Sequence, residues 1–245
     1  MDQRRVAIIT GGSSGIGLEA GRQLVAAGHD VVLTARRGDV LRIAAEGIGA
    51  RWVVGDVAEP DSFSAVVEQA ASVTGRVDLV VHAAGTMGGT FVRKETVEEF
   101  ERILRTNLTS AYVVAHGALA SMGPGGRFVF VSSTSSHTPQ PGRSAYSASK
   151  AGLNAFAAAL AGEVERDGIA VHVLTVGPVE TPMLDEVRFP MRTLGVAEVG
   201  AAVVWLDSLA SNVRLPEVCL TSVDDGPFAP ELYVPEAARR LGRTE

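Results

Sequence analysis

Only one cysteine, Cys219, occurs in the 245 residues. That excludes an internal disulfide framework and a cysteine-based zinc site, and it fits a reducing compartment. Positive charge is also scarce: 22 Lys and Arg against 28 Asp and Glu give a formal net charge of −6. A nucleic-acid surface would be basic, so no nucleic-acid partner is expected. No apolar run approaches the ~20 residues that cross a bilayer. The opening M-D-Q-R-R leads into only V-A-I-I-T, too little for a signal peptide. These shortages point to a cytoplasmic protein that needs neither a membrane nor a metal.

Apolar residues, at 46% of the chain, are plentiful enough for one α/β domain with a large core. β-rich runs at 6–10, 31–35, 52–57, 79–84, 127–133, 170–176 and 217–223 alternate with helical patterns near 15–28, 38–47, 60–74, 96–121, 144–167 and 196–211. Most of the runs are continuously apolar, as parallel strands covered on both faces must be. Thr96 and Glu99 have the spacing of a capping box, and Gly28 and Gly168 follow helices where a left-handed residue is wanted. Strand–helix alternation without linker, repeat or low-complexity segment predicts a single doubly wound parallel sheet over residues 1–245.

Three stretches carry chemistry. The first strand runs into T-G-G-S-S-G-I-G, where Gly11, Gly15 and Gly17 stand between strand and helix. Missing side chains let backbone N–H groups approach a phosphate, and the following helix offers its positive dipole end there. The spacing is G-x-x-x-G-x-G, not the commoner G-x-G-x-x-G, so a tight turn without ligand is the alternative. At the end of the second strand, NAD-specific sites place an acid for the ribose 2′-hydroxyl. Here Ala35 occupies that position and Arg36 and Arg37 follow, a pattern suited to the 2′-phosphate of NADP(H); two solvated cations are the plainer alternative. Finally, S-A-Y-S-A-S-K sets Tyr146 and Lys150 four residues apart, on one face of a helix.

In their order and distances, these stretches resemble the short-chain dehydrogenase/reductase family from residue 6 to about 183 and more loosely to 226. The same resemblance rests on Asp56 in G-D-V, on H-A-A-G at 82–85 and on Asn107 in R-T-N-L. It includes Ser133 thirteen residues before Tyr146, and V-G-P-V-E-T-P-M at 176–183. It implies a Rossmann domain with seven strands in the order 3-2-1-4-5-6-7, and an oxidoreductase that interconverts a carbonyl and an alcohol of a small substrate. The implied catalytic set is Asn107, Ser133, Tyr146 and Lys150. The implied cofactor contacts are Gly11, Ser13, Ser14, Gly15, Ile16 and Gly17 in the turn, then Arg36, Arg37, Asp56 and Val57. Ala83, Ala84 and Gly85 follow, with Asn107, Tyr146 and Lys150 again, and then Pro178, Val179 and Thr181.

In this scheme Tyr146 is general acid or base. A free phenol titrates near ~10; lowering it by about three units takes about 4 kcal/mol, which one cation at about 4 Å supplies at an effective dielectric of ~20. Lys150 would be that cation and would also bind the nicotinamide ribose. Ser133 would orient the substrate oxygen, with Ser132 and Ser135 as rivals. Asn107 falls within the apolar stripe Phe100, Ile103, Leu104, Leu108 and Ala111, so its amide needs partners; a relay water would be one. His82 replaces the family's asparagine and is expected to be a bonded core histidine. Val176 replaces a proline common before Gly177.

A substrate lid is expected at 184–195, with Arg188 and Arg192 available to an anion, and a tail at 227–245. The lead-in V-R-L-P-E-V to the last strand is similar to that of hydroxy-acid and serine dehydrogenases. The small-residue helix A-G-L-N-A-F-A-A-A-L-A-G, paired in the family with the 96–121 helix, implies a homodimer or homotetramer. A non-catalytic NADP(H)-binding regulator on the same fold is the alternative, disfavoured by the complete Asn–Ser–Tyr–Lys set.

Overall fold

The computed structural model describes residues 4–184 and 192–223. Seven parallel strands, β1 (Val6–Thr10), β2 (Asp30–Ala35), β3 (Arg51–Val54), β4 (Leu79–His82), β5 (Arg127–Ser133), β6 (Ala170–Val176) and β7 (Glu217–Leu220), lie in the order β3-β2-β1-β4-β5-β6-β7. The apolar strands are covered on both sides because successive side chains enter opposite cores. Val6 and Ile8 of β1, with Phe128 and Phe130 of β5, join one cluster, which is closed by α3 (Pro60–Thr74), α5 (Ser110–Leu119) and α6 (Ser144–Glu163). Ala7 and Ile9, with Val129 and Val131, join the other, closed by α1 (Gly15–Ala26), α2 (Gly38–Ile48) and α7 (Val196–Ser208).

The chain winds outward from β1 in one direction and from β4 in the other, and β1 pairs directly with β4. The ends of these two strands therefore open a crevice where ligands of such folds bind. Helix ends follow local chemistry. Thr96 Oγ1 accepts from Glu99 N at 3.2 Å and caps α4 (Val97–Leu104). The reciprocal arm of the expected box is missing, because the Glu99 carboxylate turns to Arg102 at 2.7 and 2.8 Å. Gly28 and Gly168 take left-handed φ values of 92° and 69°.

Several expected boundaries shift. β3, β4 and β7 end at Val54, His82 and Leu220, shorter than their apolar runs, because the ladder stops there and the following residues turn into loops. The helix expected at 96–121 is two helices, α4 and α5, joined by a π turn at Arg105–Thr109 that contains Asn107. α6 stops at Glu163 and a short 3₁₀ turn, Glu165–Asp167, finishes the segment. Arg188, most of the 184–195 lid and the 227–245 tail lie outside the described residues. Among those described, no helix is long and apolar enough to cross a membrane.

Candidate active site

The glycine turn is sterically obligatory. Gly11 has φ 68°, and a Cβ there would lie 2.8 Å from the Ala84 nitrogen. A Cβ on Gly17 would stand 2.5 Å from the Gly11 carbonyl oxygen. Both contacts are below any real Cβ distance and both are with backbone, so the chain approaches itself here as only glycine permits. α1 begins at Gly15 with no side-chain bond from its Ser14 cap and no acid in its first turn. Its first N–H groups and dipole are thus left for an anion.

A cavity of about 280 Å³ lies against this turn, bordered by Gly11, Ser13, Ser14, Gly15, Ile16 and Gly17. Arg36 and Arg37, from the end of β2, form its far wall with Asp56 and Val57. Both arginines are exposed, and neither has a carboxylate partner among the described residues. Asp56 also serves its own turn, since its Oδ1 accepts from Ala58 N at 3.0 Å. Ala83, Ala84 and Gly85 form the side toward β4.

A second cavity, about 220 Å³, adjoins the first and shares Ile16, Ala83, Gly85, Thr181 and Met183 with it. Pro178 and Val179 line the second, next to Ser133, Tyr146 and Lys150. Among the three serines, Ser132 is buried and donates to Asn154 Oδ1 at 2.5 Å, occupied away from the cavity's chemistry. Ser133 is hydrogen-bonded to the Tyr146 phenol and also accepts from Ser135 N at 3.2 Å. α6 carries both Tyr146 and Lys150, one turn apart, with the lysine Nζ 5.9 Å from the tyrosine ring centre.

The electrostatics differ in order from the sequence expectation. Burial pushes the Tyr146 phenol up, opposed by the Ser133 hydrogen bond and by the Arg143 guanidinium. Burial likewise depresses Lys150, to about 8. The lysine ammonium is held by the Val131 carbonyl at 2.9 Å rather than by the phenol. Burial is the largest influence on the phenol, so desolvation opposes the lowering expected from a neighbouring cation.

The family described as short chain dehydrogenase matches residues 5–191. The chain belongs to it. This short-chain dehydrogenase/reductase is 33% identical over 228 residues to an acetoacetyl-CoA reductase of Acinetobacter sp. (strain RA3849), covering 85% of this chain and 92% of the relative. It is 33% identical over 214 residues to a 2-dehydro-3-deoxy-L-rhamnonate dehydrogenase (NAD(+)) of Sphingomonas sp. (strain SKA58), covering 82% and 86%. Its fold matches an alcohol dehydrogenase of Thermococcus sibiricus complexed with 5-hydroxy-NADP, with TM-score 0.84, 26% identity and coverage of 93% and 100%. The family binds a nicotinamide cofactor, and its members are oxidoreductases of CH–OH and carbonyl groups.

Two buried residues of this dehydrogenase/reductase explain themselves by hydrogen bonding. Asn107 is fully buried. Its Oδ1 accepts from Thr86 N at 2.7 Å, while Nδ2 donates to Thr86 O and to Ser149 Oγ, each at 2.9 Å. The side chain is satisfied by protein alone, so the expected need for a relay water does not arise from its amide. Instead the amide ties the π turn to the strand-end loop and to α6, and π turns of this kind recur at functional sites.

His82, 1% exposed, links three elements. Ser110 gives its proton to Thr106 O at 2.6 Å, so His82 Nε2 is assigned as donor to Ser110 Oγ at 3.2 Å. Nδ1 then accepts from Thr10 Oγ1 at 3.0 Å, and Thr10 Oγ1 accepts from Ala84 N at 3.1 Å. Burial, with Lys150 as a lesser influence, lowers this imidazole to about 3 and keeps it neutral. Sequence reasoning missed Arg143. It lines the second cavity beside Tyr146, and its only sequence signal is its place three residues before that tyrosine.

Proposed function

We propose that this chain interconverts a carbonyl and an alcohol of a small organic molecule with NADP(H), using Tyr146 as general acid in reduction and general base in oxidation. The observation that carries the reading is the convergence of Ser133, Tyr146 and Lys150 on one cavity that opens into the glycine-lined one. The residues fit a dinucleotide: a cradle that any Cβ would fill, an uncapped helix start, and two arginines at the far wall with no carboxylate partner among the described residues. When bound, the nicotinamide supplies or accepts the hydride.

The protein's own groups do the rest. Ser133 orients the substrate oxygen and hydrogen-bonds the phenol; Tyr146 passes a proton to that oxygen as charge develops on it. Lys150, fixed by the Val131 carbonyl, keeps a positive charge one helical turn from the phenol. Arg36 and Arg37 favour the 2′-phosphate, with no acid at Ala35 to bind a ribose hydroxyl. Pro178, Val179 and Thr181 line the cavity next to Tyr146 and would hold the nicotinamide end of the cofactor.

The test is NADPH oxidation on a panel of small aldehydes and ketones, with NADH in parallel. Tyr146→Phe should lower kcat by 10²–10⁴-fold while leaving NADPH affinity within about threefold. A Tyr146→Phe enzyme as fast as wild type sinks the acid–base assignment. Affinity for NADH equal to that for NADPH sinks the arginine assignment.

A further inference from the structure

We propose that the substrate carries a carboxylate and that Arg143 binds it, which makes this a reductase of small oxo acids to hydroxy acids. The inference rests on the reading above and narrows its substrate class. The reaction balances as oxo acid, NADPH and one proton giving hydroxy acid and NADP⁺, with the proton passing through Tyr146.

The argument starts from charge. Among the described residues, Arg143 and Lys150 are the two charged groups that line the second cavity, and no carboxylate lines it. Lys150 already has the Val131 carbonyl. Arg143 has little: one Nη1 contact to Gly88 O at 3.4 Å, beyond good hydrogen-bond length, and no carboxylate within ion-pair distance among the described residues. The acid on the adjoining loop is already engaged. Glu95 Oε1 accepts from Thr90 N at 3.3 Å and its Oε2 accepts from Ser144 Oγ at 3.1 Å. A half-buried guanidinium facing a largely apolar cavity without a counter-charge lacks the partner that burial of charge calls for.

Position argues for substrate rather than cofactor. Arg143 borders the cavity that holds Ser133 and Tyr146 and is absent from the wall of the glycine-lined one, where phosphates belong. It caps the start of α6, three residues before Tyr146, and its side chain and the phenol line the same cavity. An oxo acid can then place its carbonyl at Ser133 and Tyr146 and its carboxylate on the fork of Arg143, which matches that geometry with parallel bonds.

The experiment compares 2-oxobutanoate and 3-oxobutanoate with their methyl esters, in wild type, Arg143→Gln and Arg143→Lys. Alongside, calorimetry measures 2-hydroxybutanoate and 3-hydroxybutanoate binding to the enzyme–NADPH mixture, where no turnover occurs. Wild type should prefer an acid to its ester. Arg143→Gln should lower the acid-to-ester ratio of kcat/KM by 10–100-fold, mainly through KM, and Arg143→Lys should restore part of it. Equal use of ester and acid by wild type, an unchanged ratio in Arg143→Gln, or absence of carboxylate-dependent binding heat overturns the proposal. Tyr146→Phe separates the two readings, because it should stop turnover of acids and esters alike while leaving the binding heat of the hydroxy acids.

Discussion

Acidification should unfold this protein through His82, and the size of the effect follows from its surroundings. The imidazole is buried between Thr10 and Ser110, neutral, with Nε2–H donating and Nδ1 accepting. A second proton on Nδ1 would face the Thr10 hydroxyl, which would have to stop donating and rotate while it still receives Ala84 N. The charge would have no water around it and would share the interior with Lys150. The folded group therefore titrates at about 3, against about 6.5 in an unfolded chain. With the folded value depressed, the unfolded state binds more protons between these limits, so this contribution is intact above pH 6.5 and is lost as pH falls toward 3.

At about 1.4 kcal/mol per unit, the loss reaches about 3 kcal/mol by pH 4 and about 5 kcal/mol below pH 3. Urea unfolding at pH 7 and pH 4, on wild type and His82→Asn, measures it. The variant is expected to be weaker at pH 7, since an amide cannot span Thr10 and Ser110 in the same way, but to lose about 3 kcal/mol less on acidification. Other titrating groups, Asp207 and His172 among them, are common to both chains and cancel in the difference. Parallel losses in the two proteins would refute the reasoning, whatever their absolute stabilities.

Three further outcomes are expected. Lys150, depressed to about 8 by burial, is charged and strained in the folded state below that pH, so wild-type stability should rise between about pH 8 and 10.5 as the folded lysine sheds its proton first; Lys150→Met should abolish that rise in urea titrations and also lower kcat. Gly17→Ala, whose new methyl would meet the Gly11 carbonyl at 2.5 Å, should cut NADPH affinity at least tenfold in fluorescence titrations. Gly47→Ala, at an exposed position of α2 with nothing within 4 Å, should bind normally and melt slightly higher, by up to about 1 kcal/mol of added stability.

The fold was legible because its parallel strands sit between two helical layers, so the chain writes them as unbroken apolar runs such as Val6–Ile9 and Phe128–Val131. The glycine turn and the Tyr146–Lys150 pair were legible because their geometry is local: a strand-to-helix turn and one helical repeat. What stayed hidden depends on chain segments far apart in sequence. Asn107 finds its partners in Thr86, 21 residues back, and Ser149, 42 residues on, and no pattern within its own helix announces the π turn. Arg143 reads as a loop cation until β5 and α6 enclose it with Tyr146.

Burial reorders the site's electrostatics for the same reason. From sequence, an ammonium near a phenol lowers the phenol; in the folded chain both groups lose water, and each is pushed toward its neutral form. This gives meaning to the choice of lysine. Of the 22 basic residues only Lys94 and Lys150 are lysines, and every other cation is arginine. An arginine at position 150 would remain charged at any burial and would present a planar fork too broad to sit on the single Val131 carbonyl. A lysine poised near 8 stays positive at neutral pH, close to its limit, and any phenolate formed at Tyr146 would raise it again. On the proposed acid–base role of Tyr146, the two groups would stabilise each other's charged forms at the moment the proton leaves the phenol.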